Sequence, residues 1–594
     1  MKTGSCTSRL PISLLNRRAA LLVALLCFCF SPLYACADTS QSLFGLNGIG
    51  YFHYLNAPNA HQIAQEKMQW LQQAGAKWDR FDFWWGTIEP QPGVWNWSQA
   101  DWLVSFYARH HIHMLPILCY QAAWMHQSPH TPQDFAQFAD FVAHVVARYH
   151  KQIHCWEIWN EPNIPAFWKP HPDAAAYTEL LKAAYLAAHK ADPHCIIVGA
   201  AANETDINWL EAIAEHGGLP YMDAVSIHPY SMSDGPEQMY LAQQLQNVRQ
   251  FLAAHGRPNL PIWITEMGWT SSIENRQSMQ RAAIYLVQSY TIAAAEGVQH
   301  LFWFNEQDWM EGGKLQGWGL LSSEMHPKLT FDAYRQIASF LDGCHFVGYV
   351  PLDNGIGYLF RKGRTERLIA WAYRGQTALL PPLRPHAQPI PLFSTSSDPQ
   401  RESSLKADPE QNPRFLSETP VFVADVAHTF LEPLTITQPP PTPSQWVVNG
   451  DLQQIDAKGA YGWHKGVFYG GADKGTFATF PEEHALALTN TTDALWQSWP
   501  VPVMPGERYR LTVEMLTKEA TGENDAQILF LGGPGWSWLG GPSTESVTGN
   551  TNGWRTFTVE GIVPKEADFL RVNLVSKGNT GLVLYRNIRL QRMP

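Results

Sequence analysis

The sequence is poor in charge and in usable cysteine, and it has no long apolar run beyond its N-terminal segment. Charged side chains make up only 16% of 594 residues, while 45% are hydrophobic, so an extended disordered chain is excluded. Of eight cysteines, Cys6, Cys27, Cys29 and Cys36 fall in the first stretch of the chain, leaving Cys119, Cys155, Cys195 and Cys344. Their spacing fits no metal site. Three of them lie in or beside strand-like runs and are expected as buried free thiols, with a Cys155–Cys195 bridge at the bottom of the fold as the alternative. No glycine-rich phosphate loop follows the first strand, which argues against a doubly wound nucleotide-binding sheet. No long internal repeat is visible.

The N-terminus reads as an export signal. Lys2, Arg9, Arg17 and Arg18 precede the apolar run 19–30, and Ala35-Cys36-Ala37 is a small-residue cleavage site. The run is too short to span a bilayer. Two rival readings are a lipobox around Cys36, which would leave that cysteine lipidated, and a twin-arginine signal at Arg17-Arg18. Without the first 37 residues the balance is 38 Lys and Arg against 53 Asp and Glu, or −15. Such a charge disfavours nucleic acid and anionic membranes as partners.

What the chain has in plenty is aromatics, 25 of them tryptophan. Most belong in cores, but aromatic faces also stack on sugar rings. Its length implies two to four domains. From 44 to about 339, eight strand-like runs alternate with amphipathic helical stretches such as 132–150 and 174–190. The runs are 44–53, 77–83, 114–120, 155–160, 196–200, 224–228, 262–265 and 300–304. This predicts an α/β fold, a (β/α)8 TIM barrel over 38–344. Short alternating strands at 346–349, 357–360, 368–372 and 420–426 predict a small β domain over 345–437 packed on the barrel, with 395–412 as an exposed loop. A proline-rich linker, 438–445, leads to an all-β region, 446–594, read as a jelly-roll β-sandwich. Its clearest strands are 508–515, 556–559, 570–575 and 582–590.

Two of the barrel runs end in a glutamate. Trp156-Glu157-Ile158-Trp159-Asn160-Glu161-Pro162 delivers Glu161 at the end of strand four, and Ile262-Trp263-Ile264-Thr265-Glu266 delivers Glu266 at the end of strand seven. A strand terminus fixes such a side chain at the barrel mouth. Two carboxyls there suit glycoside hydrolysis, one as acid/base and one as nucleophile, and carboxyls about 5–5.5 Å apart give retention. The acid requires a raised pKa, from burial and its neighbour's charge, and the nucleophile an ionised carboxylate. Glu161 is assigned the first role and Glu266 the second. Asn160 offers an amide to a sugar 2-hydroxyl, Arg80 a fixed charge near Glu266, and Tyr230 a hydroxyl to a carboxylate oxygen. Glu89 is read as fixing a turn and Glu157 as the structural partner of an arginine or of backbone groups. Glu306 and Asp308 are read either as subsite groups or as solvated loop.

The runs Trp159-Asn160-Glu161-Pro162 and Ile264-Thr265-Glu266, with Arg80, His228-Pro229-Tyr230 and Trp303, resemble clan A retaining glycoside hydrolases, family 39 first and family 5 second. The stretch 79–95 resembles the second strand and following loop of β-xylosidase-like and exopolysaccharide-cleaving members. The resemblance implies Glu161 as acid/base, Glu266 as nucleophile, and Arg80, Asn160, His228, Tyr230 and Trp303 around the sugar at the scissile bond. It implies no metal or organic cofactor. One departure is the missing histidine at the end of strand three, where Tyr120 and Gln121 stand. Tyr120, Trp85 and Trp269 are further substrate-binding candidates, and Trp124, Trp168 and Trp309 also sit in loops of that face. The motifs Asn449-Gly450-Asp451-Leu452, Pro505-Gly506-Glu507-Arg508-Tyr509 and Tyr585-Arg586-Asn587 resemble family 4/9-like carbohydrate-binding modules, with Trp496, Trp499, Trp536 and Trp538 as candidate ligand aromatics. The expectation is a secreted or periplasmic, monomeric, retaining glycoside hydrolase, endo-acting on an extracellular or cell-wall polysaccharide. A transglycosylase and a non-catalytic polysaccharide-binding protein are the alternatives.

Overall fold

The structure, a computed structural model, describes residues 39–48, 59–230, 235–393, 414–438, 445–466, 474–533 and 536–594. The expected export signal with Cys36, the exposed loop 395–412, most of the linker and the end of the first strand run lie outside these residues. Met1–Gln41 forms one unit, of which only a short 3-10 turn at Thr39–Gln41 is described; Ser42–Pro594 forms the other. Among the described residues no helix is long and apolar enough to cross a membrane.

Eight parallel strands close into a barrel in sequence order. They are β1 (Phe44–Asn47), β2 (Trp78–Trp84), β3 (His113–Cys119), β4 (Cys155–Ile158), β5 (Ile196–Asn203), β6 (Ala224–His228), β7 (Ile262–Met267) and β8 (His300–Trp303). All eight expected runs contribute, and helices such as Pro132–Tyr149 and Ala174–Ala191 cover the outside. Successive side chains of a strand alternate between the barrel interior and the helices. The inward series therefore runs from apolar at the bottom to polar at the mouth: Trp78 then Arg80, Cys155 then Glu157, Ala224, Ser226 then His228, Trp263 then Thr265. Trp78, Leu115, Cys155, Val198, Ala224, Trp263 and Phe302 plug the bottom. On β1 only glycine fits, because a Cβ at Gly45 would lie 2.5 Å from the Phe302 ring. The plug leaves the mouth to the polar series. Cys119, Cys155, Cys195 and Cys344 are all free thiols, so the alternative bridge is not formed.

A five-stranded antiparallel sheet follows, built from His345–Leu352, Gly355–Lys362, Thr365–Ala372, Val421–Val423 and Ile390–Pro391. Its two faces serve two cores. Tyr349, Ile356, Tyr358, Ile369 and Trp371 join the barrel's core, while Val350, Leu359, Leu368 and Ala370 form a separate one. The C-terminal region is a sandwich whose halves share one long strand, Ala485–Ser498. Its first half pairs with Asn579–Met593 and its second with Phe569–Lys577. Trp446, Trp496, Val513, Ile528, Val572 and Tyr585 are part of the core between them.

Candidate active site

Arg80 is the hub of the barrel mouth. Its side chain is 1% exposed, and its guanidinium reaches five neighbours. Nε donates to Glu157 Oε2 at 2.6 Å, Nη1 to Asn47 Oδ1 at 3.1 Å and to Glu266 Oε2 at 3.2 Å. Nη2 donates to Asn160 Oδ1 at 2.8 Å and faces His228 Nε2 at 3.4 Å. Only a planar fork of five N–H groups serves so many acceptors. Because the guanidinium only donates, His228 Nε2 is an acceptor. Nδ1 then carries the proton and donates to Glu161 Oε1 at 2.9 Å, and the Thr265 hydroxyl, 3.0 Å from Nε2, completes the ring's contacts.

The two glutamates meet over this hub. One oxygen of Glu161, one of Glu266 and a nitrogen of His228 all lie within 4.8 Å of one another. Glu266 accepts the Tyr230 hydroxyl on Oε1 at 3.0 Å. Glu161 also accepts the Asn203 amide on Oε1 at 2.9 Å. Backbone at this point is strained: Trp159 and Glu161 sit at φ 69° and 43°. Left-handed backbone is unfavourable for residues with a Cβ and is held in place here by partners. Trp159 N donates to Leu118 O, its indole to Phe167 O, and Glu161 N to Ala201 O. Among the described residues this trio is the one cluster of histidine and carboxylates tight enough to hold a metal ion, and the Arg80 charge beside it opposes a cation.

Charge is distributed between the pair differently from the sequence-based expectation. Burial would raise the Glu161 carboxyl, but the His228 hydrogen bond and the Asn203 amide outweigh it and hold the group below its ordinary value. Burial raises Glu266, and the Glu161 charge adds to it, against His228, Arg80 and Tyr230. The expected order, Glu161 up and Glu266 down, is thus reversed in the resting site. The reason is that His228 and Asn203 aim at the same oxygen of Glu161, a convergence that strand positions alone did not reveal. At this spacing the two carboxyls titrate as a pair.

Arg80, Asn160, His228, Tyr230, Glu161 and Glu266 come together as expected. Trp303 is fully buried at the end of β8, with Trp269, half-buried, packed on it at 5.9 Å between centroids. Trp85 is a correction. It is fully buried, stacks on Phe141 and donates to Glu89, so it belongs to the packing between β2 and the outer helices. Glu89 does fix a turn, accepting from Gly93 N, and Glu157 is an arginine partner. Glu306 and Asp308 are buried ion-pair partners of Lys67 and Lys328 rather than solvated loop. Trp168 is buried. Tyr120 lines a cleft of about 500 Å³ with Trp84, Gly86, Gln121 and Phe167. Sequence reasoning missed Trp84 there; it is 43% exposed, with its indole N–H donated to Asp82. It also missed Asn47, which follows the inward alternation of β1, and Asn203, which closes β5. In the sandwich, Trp496 is core and Trp536 is buried against the barrel, whereas Trp538 is 45% exposed.

A family model described as a glycosyl hydrolase catalytic core matches residues 137–334. A β-xylosidase of Geobacillus stearothermophilus is 27% identical over 236 residues, 34% of this chain and 46% of the relative. The chain thus spans about half the length of that curated relative. A solved family 39 glycoside hydrolase from Bacteroides cellulosilyticus aligns with 65% of this chain and 82% of its own, at TM-score 0.52 and 20% identity. A family 39 enzyme from Xanthomonas axonopodis pv. citri spans 93% of this chain and 94% of its own, at TM-score 0.45 and 15% identity. The matched model takes in β4 to β8, the strands that bring Glu161, His228 and Glu266 together. Residues 137–334 are thus similar to a glycosyl hydrolase catalytic core, and the fold is similar to that of a family 39 glycoside hydrolase.

Proposed function

We propose that the protein is an exported, retaining glycoside hydrolase that cuts within an extracellular or cell-wall polysaccharide. The observation that carries this reading is the approach of Glu161 and Glu266 within 4.8 Å across Arg80 and His228. One oxygen of each carboxyl within that distance accords better with the separation of about 5–5.5 Å that double displacement uses than with the ~6.5–9.5 Å of an inverting pair.

In the first step a Glu266 oxygen bonds to the anomeric carbon, the bond from that carbon to the leaving oxygen breaks, and Glu161 gives that oxygen its proton. Positive charge developing at the anomeric carbon favours ionised Glu266, so the proton of the pair moves to Glu161 as the reaction proceeds. In the second step water attacks the same carbon, Glu161 takes its proton, and the ester to Glu266 breaks. Arg80 and Tyr230 hold Glu266, and Arg80 occupies Asn160 Oδ1 so that the Asn160 amide N–H points to a sugar hydroxyl. No step needs a metal or an organic cofactor. The glycan continues over the Trp84–Tyr120 cleft, whose aromatic faces suit pyranose rings. Trp538 is the exposed face with which the sandwich would hold polymer and raise its local concentration.

The test is a product-resolved screen of polysaccharides and aryl glycosides, β-xylosides first because one relative is a β-xylosidase. Glu266→Gln is expected to abolish cleavage of every substrate. Glu161→Gln is expected to cost about 10²–10⁴-fold on unactivated bonds and little on a dinitrophenyl glycoside, whose leaving group needs no acid. Retained activity in Glu266→Gln sinks the assignment.

A further inference from the structure

The sandwich touches the barrel where the barrel is strained. The second half of β5 and the residue after it hold Ala200, Ala201 and Glu204 at φ 73°, 42° and 61°. Such backbone persists only when its surroundings hold it. Part of that hold comes from the sandwich. The Trp536 indole N–H donates to Glu204 Oε2, and the Trp536 ring stacks on Phe569 with Arg571 4.7 Å over it. Asn208 donates to Asp568 twice, from its backbone N–H at 3.1 Å and its side-chain amide at 2.7 Å. Asp568 is itself fixed by Gly533 N–H at 2.9 Å.

The same segment touches the catalytic pair. Asn203, directly before Glu204, donates to Glu161 Oε1. Its backbone is locked to the segment after Glu161: Asn203 N–H donates to Asn163 Oδ1 at 2.8 Å, and the Asn163 amide donates to Asn203 O and Asp206 Oδ2 at 3.0 Å each. An unbroken series of direct contacts therefore joins the sandwich to Glu161.

We propose that the sandwich is part of the catalytic machinery, with Trp536 and Asp568 as positioning residues that hold loop 203–208 so that the Asn203 amide stays on Glu161. The proposal rests on Glu161 being the acid/base. The charges around the clamp suit that task. Burial, with Trp536 opposing and Asp206, Asp568 and Glu161 adding, pushes the Glu204 carboxyl up to about 8, so Glu204 itself adds little negative charge beside Glu161 at neutral pH, while Asp568, raised to about 7, is partly ionised where it holds Asn208. Arg571 faces the same carboxyl from the sandwich. Around Glu161 the other charged or titrating neighbours are His228, Arg80 and Glu266.

Full-length Trp536→Phe, which keeps the stacked ring and removes the donor, is compared with Asp568→Asn, Asn203→Ala and the double Trp536→Phe/Asn203→Ala. Substrates are the phenyl and 2,4-dinitrophenyl β-xylosides, or the same pair on whichever sugar the wild type cuts. Trp536→Phe and Asp568→Asn are expected to slow the phenyl glycoside about tenfold and the dinitrophenyl glycoside less than about twofold, an effect on proton donation alone. The basic limb of the pH–rate profile is expected to move to higher pH, because a Glu161 anion that loses a donor binds its proton more tightly. The double variant is expected to be no worse than Asn203→Ala. Carbon NMR titration of labelled glutamate carboxyls, with Glu161 assigned by its absence in Glu161→Gln, reads the same shift without substrate. If Trp536→Phe slows both glycosides equally, or moves neither the limb nor the NMR titration while Asn203→Ala moves both, the clamp is only structural and the proposal is overturned. If Glu161→Gln and Asn203→Ala themselves show no dependence on the leaving group, the acid role of Glu161 falls, and the proposal with it.

Discussion

At the scale of single residues, Arg80 ties stability to chemistry. It neutralises Glu157, which is fully buried beneath it, and touches Glu266 above. Removing one partner of a buried pair leaves an uncompensated charge and costs about 3–5 kcal/mol. Arg80→Met is expected to lose stability on that scale in urea unfolding and to abolish turnover, and adding Glu157→Gln is expected to restore stability without restoring turnover. An Arg80→Met variant as stable as the wild type would show that the Arg80–Glu157 pair contributes nothing to folding. Much of this site was legible in the sequence because Glu161, His228 and Glu266 stand at or just beyond a strand end marked by proline or glycine, while Arg80 follows from the inward alternation of β2. What was not legible depends on two strands at once. Asn203 lies in the run Gly199-Ala200-Ala201-Ala202-Asn203, whose small residues and left-handed turns hide the fact that it continues β5, so its bond to Glu161 had no signal.

At the scale of elements, the β7 and β8 ends approach too closely for any side chain between them. A Cβ at Gly268 would lie 2.0 Å from the Phe304 carbonyl oxygen, a backbone atom with little freedom to retreat. Overpacking of this kind costs roughly 1–3 kcal/mol. Because Gly268 stands two residues after Glu266, Gly268→Ala is expected to lower kcat together with the thermal midpoint. Unchanged kinetics would show that the Glu266 position tolerates movement of its strand end. Helices were legible for a local reason: Thr131 and Asp134 form a capping box at the start of the helix Pro132–Tyr149, and the apolar period of the helix carries on from there. Thr131→Ala is expected to cost about 1 kcal/mol in urea unfolding and nothing in activity, since this helix end makes no contact with the glutamates. Tryptophans were the least legible class. Trp85 and Trp84 are neighbours in sequence, yet one packs behind the strand and the other faces the cleft, a choice set by the helical turn Trp85–Ile88 that composition does not announce.

At the scale of the whole molecule, several carboxyls are buried where layers meet. Burial raises Glu204 to about 8 and Glu237, Asp525 and Asp568 to about 7. Each folded group keeps its proton at a pH where the unfolded chain has released it. Stability from these groups is therefore complete below about pH 4 and declines as pH rises to about 8. His300 and His464, held neutral down to about 4 by burial, act in the opposite sense between about 4 and 6.5. Between about 6.5 and 8 the raised carboxyls dominate, so the thermal midpoint is expected to fall across that range. Glu237, which meets Trp371 of the five-stranded sheet, is expected to account for part of the slope, and Glu237→Gln to flatten it. A flat profile in the wild type would mean that these groups ionise freely in the fold.

Among the described residues Trp84 is one of two tryptophans, Trp538 being the other, with more than about a third of their surface open to solvent. That makes the cleft its own optical probe. A dissolved collisional quencher dims exposed indoles more than buried ones, so Trp84 and Trp538 are the tryptophans it reaches most readily. A glycan lying along the cleft would shade Trp84, and the quenching lost on adding it, absent in Trp84→Phe, would time the arrival of an unlabelled chain before any bond is cut.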